Sequence, residues 1–455
     1  METEAEVLVV GAGPTGLLLA AELALAGVRT VVVERRTHPQ RNSRALNLHP
    51  RSLELLDQRG LATRFLAAGR TVPGWQFAAP LRTPLDFSAL DSSQPHALLL
   101  AQSRTEALLE GRARELGVRI HRGHEVTTLE ENDDRVEVEL RGPNGPVSVR
   151  AAYVAGCDGA HSIVRRAAGI AFPGSEESFT AMVGDFATAD HTHLDRARQH
   201  GILAARNATR LAEHYRSGRL LLAGDAAHTH FPVGAQGLNL GLQDAMNLGW
   251  KLAAHIRGWA APGLLDTYHT ERHPVGRAVT EGTEAQTLLV ELPLVKRYRR
   301  AATLLCELLD TVLGLPETNR YLAGHLSALT TAYPPPTPAA HPLTGRRIPD
   351  LRLTLPGGHR TRTYELLHDG HFVLLNLATP TPTPTSTPDL IAPGPIAPDP
   401  VTTVHARTTP AQDSGLTALT EVLIRPDGHI AWATETTDPR TLYIERTRTL
   451  NHWVR

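Results

Sequence analysis

The chain has 455 residues, a formal net charge of −1 and an isoelectric point near 7.1. Its length allows two or three domains, and its charge gives no electrostatic reason to expect binding to nucleic acid or to an anionic membrane surface. The two cysteines form no CxxC and no Cys/His cluster, which argues against a disulfide scaffold, dithiol chemistry and a zinc site, so we predict no metal.

The first residues, METEAEVLVV, begin with acidic rather than basic side chains, unlike a secretory signal peptide. Apolar residues then run from 7 to 33, but four glycines, Glu22 and Arg29 interrupt them. Such a run is typical of alternating strand and helix rather than of a membrane span. We therefore expect a cytoplasmic protein without a membrane segment.

The same run predicts a strand–helix–strand unit with a glycine-rich turn. In chain order the elements are a strand over 6–10, a helix over 15–26 and a second strand over 29–33. Gly11, Gly13 and Gly16 form a G-x-G-x-x-G between the first strand and the helix, and Glu34 ends the second strand. This order is the fingerprint of a dinucleotide site, whereas a lone G-x-G-x-x-G would be weak support.

Each residue of the fingerprint has a physical role. Gly11 allows the tight turn, Gly13 lets a pyrophosphate approach the backbone, and Gly16 lets helix and strand pack closely. The free N–H groups at the start of the helix favour phosphate. A carboxylate at Glu34 can accept hydrogen bonds from ribose hydroxyls and disfavours a 2′-phosphate, so the predicted ligand is FAD or NAD rather than NADP.

Two later turns also follow short apolar strands. Asp158 comes after a strand over 153–157, and Gly224-Asp225 comes after a strand over 219–223. A carboxylate at the second position can bind a ribityl hydroxyl, and the helix that begins near Leu238 presents free amides to a polar ring edge. His228 and His230 lie in the loop between, but no further metal ligands can be identified.

The ordered set GAGPTG, CDGAHSIVRR and LLAGDAAHTHFPVGAQGLNLGLQDAMNLGWKLA resembles the class A flavoprotein aromatic hydroxylases, the para-hydroxybenzoate hydroxylase group. The stretches HPRSLELLDQRGL, LLDTYHTERHPVG and HPLTGRRIPDL are similar to the subgroup that hydroxylates aromatic polyketides such as angucyclines and anthracyclines. The resemblance covers nearly the whole chain. Three ordered motifs with matching flanks are far more specific than any single one.

The resemblance implies an α/β fold in which a Rossmann-like FAD-binding domain of the GR2 type carries a truncated antiparallel substrate sheet, the remnant of a middle domain, and a thioredoxin-like C-terminal domain. The expected segments are 1–175 and 205–285 for the FAD domain, 176–204 for the middle domain, 286–335 for a helical connector and 336–455 for the C-terminal domain. No cysteine occurs after 335, so the last domain is expected to be structural or dimer-forming, and a homodimer is an expectation.

The resemblance also implies roles for individual residues. Pro232 is expected near the reactive edge of the flavin, and the amides of Gly237, Leu238 and Asn239 are expected to face its N1–C2=O2 edge; Pro232 and Asn239 are the catalytic candidates. The predicted cofactor-binding residues are Gly11, Gly13, Gly16, Glu34, Arg44, Gln102, Arg104, Asp158, Gly224, Asp225, Gly237, Leu238 and Asn239. Asn47 and Ala101 depart from the Gly and Pro that related sequences often have.

The implied reaction uses NADPH or NADH to reduce FAD. Oxygen then forms a flavin C4a-hydroperoxide, whose distal oxygen is transferred to an electron-rich ring of a polycyclic aromatic substrate. The cofactor carries the difficult chemistry, while protein groups position and shield it. The expected partners are therefore this small molecule and O₂, with no nucleic acid and no membrane.

One interval is short. Asp158 and Asp225 are 67 positions apart (225 − 158), whereas related hydroxylases have a much longer interval that holds the middle domain. A strand over 178–187 and a final stretch over 205–215 leave room for a short helix at most between them. A flavin hydroperoxide survives only in a dry site. The alternative is thus a non-hydroxylating FAD- or polyketide-binding relative, either a scaffold or partner subunit, or an NAD(P)H oxidase.

Overall fold

The computed structural model describes residues 3–40, 45–177, 180–187, 198–377, 400–408, 416 and 418–455; the side chains of 180–187 and 198–206 are outside this description. The helices are α1 (Pro14–Leu25), α2 (Pro50–Asp57), α3 (Ala62–Ala68), α4 (Gln102–Glu115), α5 (Ile163–Ala167), α6 (Gly237–Arg257), α7 (Thr267–Glu291), α8 (Arg299–Leu313), α9 (Pro316–Leu326) and α10 (Pro439–Trp453).

The strands of the first half are β1 (Glu4–Val10), β2 (Thr30–Glu34), β3 (Asn47–Leu48), β4 (Arg70–Val72), β5 (Gly74–Trp75), β6 (Leu85–Asp86), β7 (Ala97–Leu99), β8 (Arg119–Arg122), β9 (Glu125–Glu131), β10 (Val136–Gly142) and β11 (Gly145–Gly156). Those of the second half are β12 (Thr180–Ala187), β13 (Arg198–Arg206), β14 (Arg210–Leu211), β15 (Arg216–Ser217), β16 (Leu220–Leu222), β17 (His228–Thr229), β18 (Arg352–Thr354), β19 (Arg360–Arg362), β20 (Phe372–Asn376), β21 (Val401–His405), β22 (Arg407–Thr408), β23 (Glu421–Ile424) and β24 (Ile430–Thr434).

The main sheet has the strand order β15–β16–β11–β1–β2–β8, and the pairs from β16 through β8 are parallel. The long β11 also pairs antiparallel with β10, which pairs with β9. Central strands buried on both faces need apolar residues at nearly every position, which is why β1 and β2 read as continuous apolar runs. The predicted strand–helix–strand unit and the mixed α/β class are confirmed.

Helices α1 and α6 pack together on this sheet and share its largest apolar core. Their crossing is close, because a Cβ at Gly241 would lie 2.3 Å from Thr15 Oγ1 and one at Gly249 would lie 2.6 Å from Glu22 Cβ. Helix α6 ends at Gly258 in the left-handed conformation, a common helix stop. The helix predicted to begin near Leu238 is confirmed, with Gly237 as its first residue.

The middle segment forms a two-stranded antiparallel ribbon, in which β12 pairs with β13 from Thr180↔Arg206 to Ala187↔Arg198. The strand predicted over 178–187 is confirmed for its described part, Thr180–Ala187. The expectation of at most a short helix before 205 is wrong, because Arg198–Arg206 is a strand that runs past that boundary. An isolated strand would leave its backbone N–H and C=O groups unpaired along both edges. Strand β13 pairs with these groups along one edge of β12.

Three helices, α7, α8 and α9, follow α6 along the chain. Helix α7 ends before Pro293, and α9 begins with Pro316, so both prolines interrupt the helical pattern as predicted. Helix α8 lies between them. No helix in the described part of the chain is both long enough and apolar enough to cross a bilayer.

The C-terminal part contains a four-stranded sheet of order β21–β20–β23–β24, in which β20 and β21 are parallel and the other pairs are antiparallel. Strands β23 and β24 form the hairpin predicted around the Pro-Asp-Gly turn at 426–428. Helix α10 follows the hairpin and returns the chain to the FAD domain, where Trp453 packs near Trp250. The thioredoxin-like assignment stays a prediction.

Candidate active site

The glycine-rich loop joins β1 to α1 at the carboxyl edge of the main sheet. Gly11 has φ +107°, and a Cβ there would lie 2.4 Å from the Cys157 carbonyl oxygen. A Cβ at Gly16 would lie 2.1 Å from the Gly11 oxygen, whereas one at Gly13 would meet no atom within 4 Å. Gly11 and Gly16 are therefore required by the packing of the protein itself, and the space over Gly13 is open to a ligand.

Glu34, at the end of β2, lies beside this loop. Glu34 is buried, and its carboxylate accepts hydrogen bonds from the amides of Ala12, at 3.0 Å, and Arg36, at 2.9 Å. The amino end of α1 has no side-chain cap, so its first N–H groups stay available for phosphate. The roles of the fingerprint residues in binding a cofactor stay predictions.

Asp158 lies just beyond β11, next to the glycine-rich loop. One carboxylate oxygen caps α5 by accepting the Ile163 amide at 2.7 Å, while the other, Oδ1, is buried without a hydrogen-bond partner among the described residues. Burial raises the pKa of Asp158, and its hydrogen bonds with Ser162 and the α5 amides oppose that shift. The unpaired oxygen fits a site that a polar ligand completes.

The turn after β16 begins the second half of the site. Gly224 has φ +64°, and a Cβ there would lie 2.7 Å from Thr15 Oγ1, so this position is restricted to glycine. Asp225 is exposed and its carboxylate has no hydrogen bond within the described ranges, although nearly all its neighbours in the chain are buried. Pro232 is also exposed, while Phe231 and Val233 on either side are buried.

The amino end of α6 follows a tight loop with left-handed backbone at Gly234 and Ala235. Gly237 and Leu238 are half-buried and the helix has no side-chain cap, so amides at this end remain available. The side chain of Asn239, in contrast, is fully used by the protein. Its oxygen accepts the His49 amide at 2.7 Å, and its Nδ2 donates to the carbonyls of Ala235 and Asn47.

The remaining predicted contacts lie on α4 and in the segment before β3. Gln102 donates to Glu106 at 2.8 Å in the first turns of α4, and its backbone amide donates to the Ala45 carbonyl. Arg104 is exposed on the same turn. Arg44 lies outside the described residues, so its predicted place along FAD stays a prediction.

Sequence reasoning missed a buried polar network beneath the Gly224 turn. Asp244 accepts hydrogen bonds from the Gly224 amide, from His228 Nε2 at 2.6 Å and from Arg272 Nε at 2.8 Å. Burial alone would raise the pKa of Asp244, but the Arg272 guanidinium and His228 hold it below its usual value. The signal in the sequence was a charged residue on the apolar face of each of two helices, α6 and α7.

The two loop histidines have partners of their own. His228 is fully buried against Asp244, and His230 Nδ1 lies 2.8 Å from the Phe231 carbonyl oxygen. No group of His, Cys, Asp or Glu able to hold a metal ion occurs among the residues that the structure describes.

A second missed residue is Asn47, at the start of β3. Its side chain is only 1% exposed, yet both Oδ1 and Nδ2 lack partners in the described structure. Its carbonyl accepts a hydrogen bond from Asn239, so this residue lies next to the amino end of α6. Unpaired buried polar atoms at this place fit a bound polar ring edge.

Comparison with known proteins agrees with this geometry. The profile of the FAD binding domain family matches residues 4–200 and 185–283, and that of the aromatic-ring hydroxylase C-terminal domain matches 341–454. A 12-dehydrotetracycline 5-monooxygenase/anhydrotetracycline 6-monooxygenase of Streptomyces rimosus is 41% identical over 94% of this chain and 95% of that protein. A dialkyldecalin synthase of Streptomyces rugosporus is 36% identical over 94% and 95%.

The solved structure of OxyS anhydrotetracycline hydroxylase from Streptomyces rimosus superposes with a TM-score of 0.86, at 38% identity and with 99% of each chain covered. The glycine-rich loop and the uncapped amino end of α6, together with these matches, define the class: an FAD-binding aromatic-ring hydroxylase fold. The chain belongs to the family of FAD-dependent aromatic polyketide monooxygenases. It is an FAD-dependent oxidoreductase, and FAD is its cofactor.

Proposed function

We propose that the protein uses NADPH or NADH and O₂ to hydroxylate a polycyclic aromatic polyketide. The observation that carries this proposal is the accessible edge formed by Asp225, Pro232 and the amino end of α6 within an otherwise buried region. The residues at a reaction site must be accessible to the substrate, while the residues that hold them in place must be rigid. The relatives named as tetracycline monooxygenases support the substrate class.

The chain's own residues divide the work of binding. In the proposal, Asp225 accepts hydrogen bonds from ribityl hydroxyls, and the amides of Gly237, Leu238 and Asn239 stabilise negative charge at the pyrimidine edge. Pro232 lines the side that faces substrate. When bound, FAD supplies the activation of O₂ at its C4a atom after reduction by NAD(P)H.

A shortened substrate roof, a thioredoxin-like C-terminal domain, a cytoplasmic location and a homodimer also remain parts of the proposal. The alignment with the monooxygenase of Streptomyces rimosus spans 494 positions, 39 more than the whole of this chain. The family profile matches in two pieces whose ends meet at 185–200, within or beside the ribbon. Both facts support a loss of sequence at the predicted middle domain, 176–204.

The second candidate is a family member that binds FAD or a polyketide without hydroxylating it. The break in the profile match at the ribbon supports it, because a two-stranded ribbon offers less cover to a reactive flavin than a closed sheet. The relative named a dialkyldecalin synthase shows that proteins similar to this chain also carry names other than hydroxylase.

Coupled turnover separates the two candidates. The purified, FAD-loaded protein is incubated with NADPH or NADH and a panel of tricyclic and tetracyclic aromatic polyketides, while NAD(P)H consumption, hydroxylated product and H₂O₂ are measured together. Product that accounts for most of the NAD(P)H consumed supports hydroxylation. Consumption that yields only H₂O₂ with every substrate identifies an oxidase, and no consumption at all identifies a binding protein; either result defeats the hydroxylase proposal.

A further inference from the structure

The longest exposed stretch of the described chain joins α7 to α8. Helix α7 ends at Glu291, a short 3₁₀ helix covers Leu292–Leu294, and α8 begins at Arg299. Every residue from 294 to 301 is exposed, and no longer run of exposed positions occurs among the described residues. We call residues 294–301 the α7–α8 tip. A connection that lies flat on a protein buries part of its side chains, so this stretch projects into solvent.

The α7–α8 tip is strongly basic. Its cations lie within five consecutive positions: Lys296, Arg297, Arg299 and Arg300. No acidic residue occurs between Glu291 and Glu307, so four basic and no acidic residues give this stretch a formal charge of +4. The whole chain has a net charge of −1, and the expectation of no membrane partner rests on that average. The average conceals a local excess of positive charge at the tip.

These four cations are not neutralised by the part of the chain that the structure describes. Arg297 lies over the ring of Tyr298, with its guanidinium carbon 4.4 Å from the ring centroid, and Arg299 Nε donates to the Pro293 carbonyl at 3.4 Å. Neither contact supplies a negative charge. The ion pairs formed by the described residues include none of the four. Their charge is therefore available to an anionic partner.

Exposed apolar side chains lie among these cations. Leu294 is 67% exposed, Val295 43% and Tyr298 40%. Leu304, in the next turn of α8, is 56% exposed, and it lies on the opposite side of the helix from the buried Ala302, two positions earlier. Single exposed apolar residues are ordinary, but several of them beside a cluster of cations are typical of a segment that enters the interfacial layer of a membrane.

This combination favours a lipid surface over other anionic partners. Nucleic acid is bound mainly through its phosphates and offers no apolar layer to Leu294 and Val295. A specific protein interface uses ~20–30 residues on each side, whereas the tip is one connection of eight residues. A bilayer with anionic headgroups supplies negative charge at its surface and an apolar layer directly beneath.

We propose that the α7–α8 tip binds the protein reversibly to membranes that contain anionic lipids. Its cations lie at the level of the phosphate headgroups, Leu294 and Val295 enter the apolar layer, and Tyr298 lies at the boundary between the two. Each cation near such a surface contributes about fivefold to affinity, so four cations and two aliphatic side chains suffice for reversible attachment. This binding goes beyond the proposed hydroxylation and does not depend on it.

Co-sedimentation of the FAD-loaded full chain with lipid vesicles tests this proposal. The vesicles contain phosphatidylcholine alone, or phosphatidylcholine and phosphatidylglycerol in a ratio of about two to one. Binding to the anionic vesicles is expected to be at least ~100-fold tighter than binding to the neutral ones. It should weaken at least ~10-fold between ~0.1 M and ~1 M salt, because the Debye length falls from ~10 to ~3 Å. Absent binding, or equal binding to both kinds of vesicle, overturns the proposal.

Paired variants separate the two contributions to binding. Lys296→Gln/Arg297→Gln is expected to weaken binding to the anionic vesicles ~30-fold, since it removes two cations. Its matched control, Arg440→Gln/Arg448→Gln, removes two exposed cations of α10 and should leave binding unchanged. An equal loss in these two variants would mean that only the total charge matters, which overturns the assignment to the tip.

The apolar contribution is tested in the same way. Leu294→Ser/Val295→Ser is expected to weaken binding at least ~10-fold, because both side chains leave the apolar layer. Tyr443→Ser/Ile444→Ser, on α10, is the control and should have no effect. Circular dichroism confirms that each variant is folded. Undiminished binding by the Leu294/Val295 variant overturns insertion, and retention on immobilised polyglutamate without binding to vesicles would identify an acidic protein as the partner instead. None of these readouts requires turnover, so they fail separately from the proposed hydroxylation.

Discussion

At the scale of single residues, the site combines side chains that the protein itself uses with polar atoms left for a ligand. Asn239 belongs to the first kind, since its amide group is fully hydrogen-bonded to neighbouring loops. Asp225, the free oxygen of Asp158 and the side chain of Asn47 belong to the second. This division decides which substitutions weaken the fold and which weaken cofactor binding.

Asp225→Ala is expected to release FAD with little loss of fold. A hydrogen bond from a hydroxyl to an ionised carboxylate contributes ~1.5–3 kcal/mol, so the dissociation constant should rise ~10- to 150-fold. Flavin absorbance after gel filtration measures retention, and circular dichroism measures the fold. Asp369→Ala changes another exposed carboxylate and serves as the control. Full flavin retention in the Asp225 variant would show that this carboxylate does not hold the cofactor.

Asn47→Leu is expected to stabilise the FAD-free protein and to reduce the stabilisation that FAD confers. Buried polar atoms without partners cost ~1–3 kcal/mol, which an apolar side chain of similar size avoids and which a bound flavin would compensate. Thermal unfolding with and without FAD gives both quantities. If neither changes, the Asn47 side chain makes no contact with the cofactor.

At the scale of elements, the corner between β3 and α2 holds the loop before α6. His49 sits at the start of α2 and is fully buried; its amide donates to Asn239, and its Nε2 donates to the Gly234 carbonyl at 2.9 Å. The other ring nitrogen, Nδ1, is buried without a described partner. Burial lowers the pKa of His49 from 6.5 to about 4, because it removes water from the charged imidazolium, and the backbone carbonyls of Gly234 and Ala235 offset only part of this shift.

This pKa shift makes the corner sensitive to acid. The unfolded chain binds a proton near pH 6.5 and the folded chain only near pH 4, so the stability that His49 contributes is present above pH 6.5 and is lost as pH falls towards 4. The loss reaches ~3 kcal/mol. His49→Gln keeps a donor for Gly234 but cannot titrate, so its free energy of unfolding should fall less steeply over this range in urea titrations.

His359→Gln is the control for that comparison, because His359 is exposed. Burial also lowers the pKa values of His273 and His429 to about 4, so some acid sensitivity should remain in the His49 variant. An unchanged pH slope in His49→Gln would mean that this imidazole takes up its proton equally well in both states.

At the scale of the whole molecule, buried ion pairs join the C-terminal domain to the FAD domain. Arg425, from the β23–β24 hairpin, donates to both oxygens of Glu271 on α7, at 2.7 and 2.8 Å, and also binds Asp427. Glu271 binds Lys251 of α6 as well. The next residue, Arg272, is the partner of Asp244 beneath the Gly224 turn. Two consecutive residues of α7 therefore connect the hairpin to the polar network under that turn.

Arg425→Met is therefore expected to lower the free energy of unfolding by ~3–5 kcal/mol, since it leaves the buried Asp427 without its guanidinium partner and Glu271 with Lys251 as its remaining cation. Arg64→Met removes an exposed pair with Glu115 and should cost less than ~1 kcal/mol. Denaturant titrations of the two variants measure the difference. Equal costs would show that the buried network contributes no more than a surface pair.

The sequence alone determined the parts that depend on neighbours in the chain. Gly11, Gly16 and Gly224 were predictable because tight turns and close backbone approach admit only glycine, and the elements around them followed from apolar periodicity. Their order along the chain was enough to predict an FAD-binding domain, which the family match confirms. The ribbon was predicted only in its first strand, because the pairing of β13 depends on which edge is free.

Tertiary structure decided what depends on distant residues. The partnership of Asp244 with Arg272, the use of Asn239 by His49 and the docking of Arg425 on Glu271 join positions 28, 190 and 154 apart. Periodicity fixes the faces of a helix, whereas the neighbours that cover a face are supplied by the rest of the molecule.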